Sequence, residues 1–457
     1  MARKPQFDYD LIVIGSGAGG SPAATIAASA GKKVAIVESD VFGGESPNWG
    51  DIPVKALLHA AQLYDEAKAG ARFGLRSSAL GYNFLSLKAW KDLAIKRTGA
   101  GGNRKYYEKY GITTFNSVAH FLSPHEISIN RRHLSARQFL IATGSDWQKP
   151  SIAGIDDVSY HTPKTILNLT RPPKSLLIIG GNSTALEFAQ LFAIFGTKVY
   201  ITEKAARLLP ESDEEAGALL ERILHEQKGV TTLTQTRILT IQKDGLGKRI
   251  TYRRAGNERS LRIDEVLVTT GRTPMVDIGL ENASVKYTPE GIEVNDYMQT
   301  SASHIYAAGD VLGHKKHLHT ALMESRIAAS NLLNKQQIKP DYAVTASIIF
   351  TSPGVASVGL TEDDCLKRDL DIKKALVPLN MVARSNTSDF RDGFVKLIAD
   401  KKGVLIGATI AAPHAGEIIH ELSLAVKYGL TAAQVANTPH AFLSWSEAVR
   451  VAATKLV

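Results

Sequence analysis

Short apolar runs that end in glycine recur along the chain in a fixed order. Leu11-Ile12-Val13-Ile14 leads straight into Gly15-Ser16-Gly17-Ala18-Gly19-Gly20. A run that short and that uniformly apolar predicts a parallel strand buried on both faces. An alanine-rich segment from about 21 to 30 predicts a helix, and Lys33-Val34-Ala35-Ile36-Val37-Glu38 predicts a second strand ending in an acid. The pattern then returns. Leu176-Leu177-Ile178-Ile179 leads into Gly180-Gly181-Asn182-Ser183-Thr184-Ala185, a helix follows, and Lys198-Val199-Tyr200-Ile201-Thr202-Glu203 closes the unit. In both copies the first glycine and the acid lie 23 residues apart. Two strand–turn–helix–strand–acid units with matched spacing predict two dinucleotide-binding folds in one chain.

The chemistry expected of each unit is the same. Glycines let the backbone turn tightly and approach a pyrophosphate, and the helix N-terminus offers free N–H groups. The acid accepts hydrogen bonds from an adenosine ribose. Gly15, Gly17, Gly20 and Glu38 are the candidates in the first unit; Gly180, Asn182 and Glu203 are those in the second. In the second unit Asn182 and Ala185 stand where the second and third glycines would be. Asparagine tolerates a left-handed backbone, but its side chain crowds a pyrophosphate.

Three further apolar runs fit around these units. Residues 139–144 and 266–271 end in Thr-Gly, and 305–310 ends in Gly-Asp. Lys149-Pro150 and Arg171-Pro172-Pro173 read as linkers. From about Asp341 strands and helices alternate without a glycine-rich phosphate turn, which predicts a separate C-terminal domain. The fold class is α/β: two Rossmann-like dinucleotide-binding domains plus a C-terminal α+β interface (dimerisation) domain.

Composition narrows the classes. A chain of 457 residues with 44% apolar residues predicts about three folded domains. The net charge of +9 comes from scattered Lys and Arg, which points to a basic surface rather than a nucleic-acid footprint. No apolar stretch approaches the ~18–20 residues of a membrane span. Met1-Ala2-Arg3-Lys4 does not open a signal peptide, so the cytoplasm is the expected location. One cysteine, Cys365, excludes an intramolecular disulfide.

The motifs cover the chain in order. After the first unit come Gly43-Gly44 and Asn48-Trp49-Gly50-Asp51-Ile52-Pro53-Val54-Lys55-Ala56-Leu57, then Ala142-Thr143-Gly144 and the second unit with Glu187. Tyr306-Ala307-Ala308-Gly309-Asp310, Pro353-Gly354-Val355-Ala356-Ser357-Val358-Gly359, Gly393-Phe394-Val395-Lys396-Leu397 and Gly416-Glu417-Ile418-Ile419-His420-Glu421 follow. This series resembles the flavoprotein pyridine nucleotide–disulfide oxidoreductase family, which includes dihydrolipoamide dehydrogenase, glutathione reductase and mercuric reductase. The resemblance implies FAD on the first unit, NAD(P)H on the second and a homodimer through the C-terminal domain. It divides the chain into FAD-binding residues 1–150 and 276–340, NAD(P)-binding residues 151–275 and interface residues 341–457. By the same resemblance Asp310 hydrogen-bonds the FAD ribityl chain. Lys55 and Glu187 form an ion pair beside the flavin, where a cation stabilises the electron-rich reduced ring. For Lys55 the competing reading is a solvated helix residue. The other implied cofactor contacts are Gly43, Gly44, Ser46, Ala119, Thr143, Gly144, Gly271 and Gly309. Glu203 favours NADH by repelling a 2′-phosphate, with Lys204 and Arg207 near enough to blur the preference.

The chain departs from the family at its reactive positions. The family's two cysteines, in a C-x4-C spacing on the helix after Gly-Gly, are here Ser46 and Asp51. Neither forms a disulfide or carries electrons as a thiolate. Cys365 reads as an incidental thiol. Aligned through Ser446-Glu447-Ala448, the family's acid/base histidine is Phe442, while Glu447 remains. On an extended strand His440 would share a face with Phe442, which leaves a substitute base open beside a structural histidine near the dimer interface.

The loss of both sulfurs and the histidine removes one half-reaction and leaves the other. The expected function is an FAD-dependent NAD(P)H oxidoreductase that passes hydride from nicotinamide to flavin and on to a small non-disulfide acceptor such as a quinone or oxygen. Lys55, Glu187, Asp51 and Glu447 are the catalytic candidates, and no metal ligand set is expected. Three alternatives stand beside it. One is a soluble pyridine nucleotide transhydrogenase, whose Trp-Gly-x-Ile-Pro-x-Lys-Ala-Leu stretch is close to residues 49–57. Another is a flavin-binding regulatory or structural protein with little turnover. The last is a dehydrogenase acting directly on an organic substrate, with Asp51 as proton acceptor.

Overall fold

The computed structural model describes residues 7–76, 79–99, 101–314, 316–334 and 337–457; Met1-Ala2-Arg3-Lys4 lies outside them. The chain divides into two compact units. One comprises residues 1–56, 88–148 and 271–341, the other residues 57–87, 149–270 and 342–457.

In the first unit the strand Tyr9–Ile14 lies between Val34–Glu38 and Arg132–Ile141, parallel to both. Thr113–Asn116 extends the sheet in parallel beyond Val34–Glu38, and Ile305–Ala307 pairs in parallel with Arg132–Ile141. Glu126–Ile129 and Ala119–Ser123 complete it as antiparallel strands. Leu11, Ile12 and Val13 are almost wholly buried, as their unbroken apolar run requires. The helix Ser21–Ser29 has a proline in its first turn and buries Ala23, Ala24 and Ala27. Proline is tolerated there because the first-turn N–H groups have no partner within the helix. The run expected to be strand through 144 ends at Ile141. Beyond it the backbone passes under Gly15, and Gly144 turns at φ +75°.

The second unit holds a four-stranded parallel sheet in the order Thr231–Leu233, Lys198–Thr202, Ser175–Ile179, Glu265–Val268. The helix Ser183–Ile194 lies between the two central strands in sequence and is buried over most of its surface. Three antiparallel strands, Thr236–Asp244, Gly247–Arg254 and Asn257–Ile263, share a core with this sheet through Ile241, Ile250, Leu177 and Ile179. Residues 171–173, expected as a linker, lie inside this unit.

The same unit contains a five-stranded antiparallel sheet in the order Ser347–Ile349, Gly354–Gly359, Leu405–Ala412, Phe394–Asp400, Ile372–Pro378. Helices Ala415–Lys427 and Glu447–Thr454 share its core. Lys396 is buried in the fourth of these strands, yet its ammonium donates to Asp213 (3.0 Å), Glu215 (2.8 Å) and Glu362 (2.8 Å). Burial alone would lower its pKa; the three carboxylates outweigh burial and hold it well above the ordinary lysine value. Asp213 also accepts from Thr409 (2.6 Å), so this network ties the nucleotide-fold residues of the unit to its antiparallel sheet.

Candidate functional site

The two glycine turns repeat each other down to single hydrogen bonds. Gly15 N donates to Val37 O at 2.8 Å, and Gly180 N donates to Thr202 O at 2.8 Å. Glu38 does not point outward from its strand. Its Oε2 accepts from Ser16 N (2.9 Å) and Ser16 Oγ (2.6 Å), and its Oε1 accepts from Asp40 N (2.9 Å). Glu203 does the same, with Oε2 accepting from Gly181 N (2.7 Å) and Oε1 from Ala205 N (2.8 Å). In both copies the acid binds the residue after the first glycine and the residue two beyond itself. That arrangement fixes each carboxylate at the mouth of its turn. In the first copy Gly43 N adds a bond to Ser16 Oγ (3.0 Å), which joins the Gly43-Gly44 turn to the same cluster.

The copies differ at the helix start. The helix Ser21–Ser29 begins at Gly20, which gives it no side-chain cap; Ser21 N donates to Gly17 O (2.9 Å), Ala23 N donates to Ser325 Oγ (3.1 Å), and Pro22 has no N–H. The helix Ser183–Ile194 is capped by Asn182, whose Oδ1 accepts from Ala185 N (3.0 Å) while its Nδ2 donates to Thr269 O (2.7 Å). Asn182 has φ −82° and extended backbone. Its tolerance for left-handed geometry is therefore not used; the positive φ falls on Gly180, at +111°. Asparagine is here as a cap.

A charged cluster escaped the sequence reading. Arg272 grips Glu45 with both terminal nitrogens, NH1 at 2.7 Å from Oε1 and NH2 on Oε2. Its Nε donates to Ser145 Oγ (2.9 Å) and its NH2 to Ser145 O (3.1 Å), while Ser145 Oγ donates to Asp310 Oδ2 (2.8 Å). The guanidinium lies 5.0 Å from the Trp147 ring centroid. Lys316 donates to Arg272 O (2.7 Å), and burial lowers its pKa. Burial would lower the Arg272 pKa too, but attraction from Glu45, then Asp310 and Asp146, holds it above the ordinary value. Burial pushes Glu45 up and Arg272 pulls it back; the two-pronged geometry is that of a carboxylate. The short antiparallel pairing of Arg272–Pro274 with Ser145–Trp147 brings these residues together.

Glu45 begins the short helix Glu45–Asn48, which carries Ser46. Asp51 opens a second helix, Asp51–Ala69, so Ser46 and Asp51, expected on one helix after Gly43-Gly44, lie on two. Asp51 lies 3.6 Å from Lys55, one turn on. Glu187 is buried and its Oε1 accepts from Phe350 N (2.9 Å). Asp310 follows Gly309, whose N–H donates to the buried Glu324 (2.7 Å). Thr143 Oγ1 donates to Met275 O (2.6 Å), and Gly144 O accepts from Met275 N (2.9 Å). Gly271 O accepts from Gln148 N (2.9 Å). Ala119 is buried at the start of a strand, two residues past Ser117, whose N–H donates to Glu38 O (2.8 Å).

Comparison with known proteins decides what these turns belong to. The pyridine nucleotide-disulphide oxidoreductase family matches residues 9–325, and that family's dimerisation domain matches residues 345–453. The chain belongs to the pyridine nucleotide-disulphide oxidoreductase family. It is 34% identical to the dihydrolipoyl dehydrogenase of Thermus scotoductus over 98% of this chain and 97% of that one. It is 32% identical to a mercuric reductase of Bacillus cereus, over 98% of this chain and 71% of the relative. Among solved structures, LpdA from Mycobacterium tuberculosis superposes with a TM-score of 0.87 at 25% identity, over 98% of this chain and 99% of that one. The HOCl-induced flavoprotein disulfide reductase RclA from Escherichia coli gives 0.86 at 25% identity over the same shares. The protein is thus an FAD-dependent pyridine nucleotide oxidoreductase that uses NAD(P)H.

The residues of the first turn fit the family's FAD. A Cβ on Gly15 would lie 2.1 Å from Ala142 O, and one on Gly44 would lie 2.6 Å from Gly17 Cα. Bare backbone thus lines the turn. Asp310 has Oδ2 engaged by Ser145 and Arg272, while Oδ1 accepts no hydrogen bond among the described residues.

The C-terminal segment around His440 is not extended. Residues 438–446 form no strand, Leu443 has φ +63°, and His440 and Phe442 do not share a face. The His440 side chain is 8% exposed, whereas Phe442 is 74% exposed. His440 Nδ1 meets Thr438 O (2.8 Å) and its Nε2 meets Glu421 (3.3 Å), so both ring nitrogens are engaged. Glu447 has Oε2 buried with no hydrogen-bond partner among the described residues. Cys365 is buried in the helix Glu362–Lys367, and burial first, then neighbouring acids, raise its pKa. Among the described residues no cluster of three or more His, Cys, Asp or Glu could hold a metal, and no helix is long and apolar enough to cross a membrane.

Proposed function

We propose that this enzyme delivers electrons from NAD(P)H, with NADH favoured, to a small acceptor that is not a disulfide, such as a quinone or dioxygen. The observation that carries the proposal is the absence of thiols where the family's chemistry requires them. Ser46 and Asp51 occupy both positions, and the sole cysteine is buried in another element. Bound FAD supplies the two-electron redox centre between nicotinamide and acceptor. The protein's own part is to bind and orient. Gly15, Gly17, Gly20, Gly43, Gly44 and Ser46 line the cofactor's turn, and Glu38 receives the adenosine ribose. Ala119, Thr143, Gly144, Gly271, Gly309 and Asp310 complete the cofactor contacts in this reading.

Gly180, Asn182 and Glu203 hold the nicotinamide nucleotide. Lys55 supplies positive charge at the flavin with Glu187 as its counter-ion, and Asp51 provides a polar side chain in place of a sulfur. Glu447 keeps its family place without a histidine to orient. The protein acts as a cytoplasmic homodimer through residues 341–457.

The reading is tested by turnover with NADH against a panel of acceptors. Quinone or dioxygen reduction is expected, with no reduction of lipoamide or glutathione disulfide. Turnover of either disulfide would overturn the proposal. Hydride exchange between NADPH and an NAD analogue with no other acceptor would replace it with the transhydrogenase reading.

A further inference from the structure

A net +5 of the chain's +9 falls within residues 88–110, which carry seven Lys or Arg against Asp92 and Glu108. Both acids are already paired, Asp92 with Lys91 and Glu108 with Arg104 (3.3 Å). Lys96, Arg97, Lys105 and Lys109 have no acidic partner among the described residues. The span runs helix, turn, helix. The first helix, Phe84–Thr98, has no fully buried residue. Positions 90, 93 and 97 share one face of it. Trp90 is 37% exposed and Leu93 40%. The Arg97 guanidinium lies 5.7 Å from the Trp90 ring centroid, so charge and ring form one surface.

Both helices are fastened from beneath. Trp90 Nε1 donates to Ala56 O (3.3 Å). In the second helix, Arg104–Glu108, the buried Tyr107 donates through its Oη to Ser16 O (2.9 Å). Tyr106 and Tyr110 are exposed, with ring centroids 5.4 Å apart. One tyrosine thus anchors this segment while two face solvent. A merely solvated helix face needs charge and gains nothing from an exposed tryptophan and leucine. Tyr and Trp join an apolar body to a polar tip, and Lys and Arg carry their charge on apolar stems. Both kinds of side chain suit the boundary between acyl chains and lipid headgroups. Unpaired cations add attraction to anionic headgroups. A nucleic acid would use the cations but has no place for Leu93.

We propose that this face docks on the surface of an anionic lipid bilayer, which brings the enzyme to acceptors dissolved in lipid. The docking does not depend on which acceptor the flavin serves, so its failure leaves the acceptor reading untouched. Co-sedimentation of the FAD-loaded protein with vesicles tests it. Vesicles of equal parts phosphatidylglycerol and phosphatidylcholine are compared with vesicles of phosphatidylcholine alone. Wild-type protein is expected to sediment with the anionic vesicles at low ionic strength, to leave the neutral ones unbound, and to be released by salt. Lys96→Ala/Lys105→Ala/Lys109→Ala is expected to weaken binding on the order of a hundredfold, about fivefold for each cation removed. Leu93→Ala is expected to weaken it about fivefold by removing apolar contact. Flavin reduction by NADH in solution is expected to be unchanged in both variants. Absence of binding to anionic vesicles, or equal binding by wild type and the triple variant, would overturn the proposal. Binding to duplex DNA that the triple variant loses, with no vesicle binding, would overturn it in favour of a nucleic-acid partner.

Discussion

Arg272→Ala is expected to lower the stability of the FAD-loaded protein by about 3–5 kcal/mol and to lower its FAD content. The arginine side chain is 20% exposed and neutralises Glu45 directly, with Asp310 3.7 Å away. Its removal leaves the partly buried Glu45 and Asp310 carboxylates without the guanidinium that serves both. Losing one partner of such a group costs far more than the group contributes when intact, because the remaining charge stays desolvated. A Glu45→Gln/Arg272→Ala double variant removes part of that uncompensated charge, so it is expected to be more stable than Arg272→Ala alone. Urea midpoints, read by flavin absorbance and by circular dichroism, check both parts. A double variant whose loss equals the sum of the single losses would mean that Glu45 and Arg272 do not act as a pair.

Lys55→Ala is expected to slow reduction by NADH about a hundredfold while leaving FAD bound. The estimate follows the typical effect of removing one preorganised electrostatic contact at a reacting centre. Lys55 lies on the helix that, by family resemblance, faces the flavin, and its ammonium is 3.6 Å from Asp51 on the same helix. Anaerobic stopped-flow absorbance gives the rate, and ultrafiltration gives the bound FAD. An unchanged rate would remove Lys55 from the chemistry. A lost cofactor with a normal rate per remaining flavin would make it a binding residue only.

The parts of the molecule that follow chain periodicity could be read from the sequence. Four-residue apolar runs before glycine became central parallel strands because a strand buried on both faces admits no polar residue. The matched spacing of glycine and acid placed Glu38 and Glu203 in equivalent positions, and their hydrogen bonds proved equivalent too. What pattern could not reach was contact across long separations. Glu45 and Arg272 are 227 residues apart, and Ser145 and Asp310 are 165 apart, with nothing local to announce either pair.

Two local features have physical causes as well. The backbone tolerance of asparagine is not what position 182 uses; a side chain that accepts from Ala185 N makes it a cap. His440 and Phe442 would share a face only on an extended strand, and the chain turns at Phe442 and Leu443 instead, with the His440 side chain buried and Phe442 exposed. The loss of thiols needed no structure, since residue identity alone settles it.

That loss makes electron capacity the most direct test. Anaerobic titration of the purified yellow protein with NADH, followed by one addition of quinone, measures how many electrons each flavin site accepts and whether they leave without sulfur. Full bleaching is expected at about one NADH per FAD, with colour restored in a single phase by the quinone. Uptake of two NADH per FAD before bleaching is complete, or colour restored only by a disulfide, would contradict it.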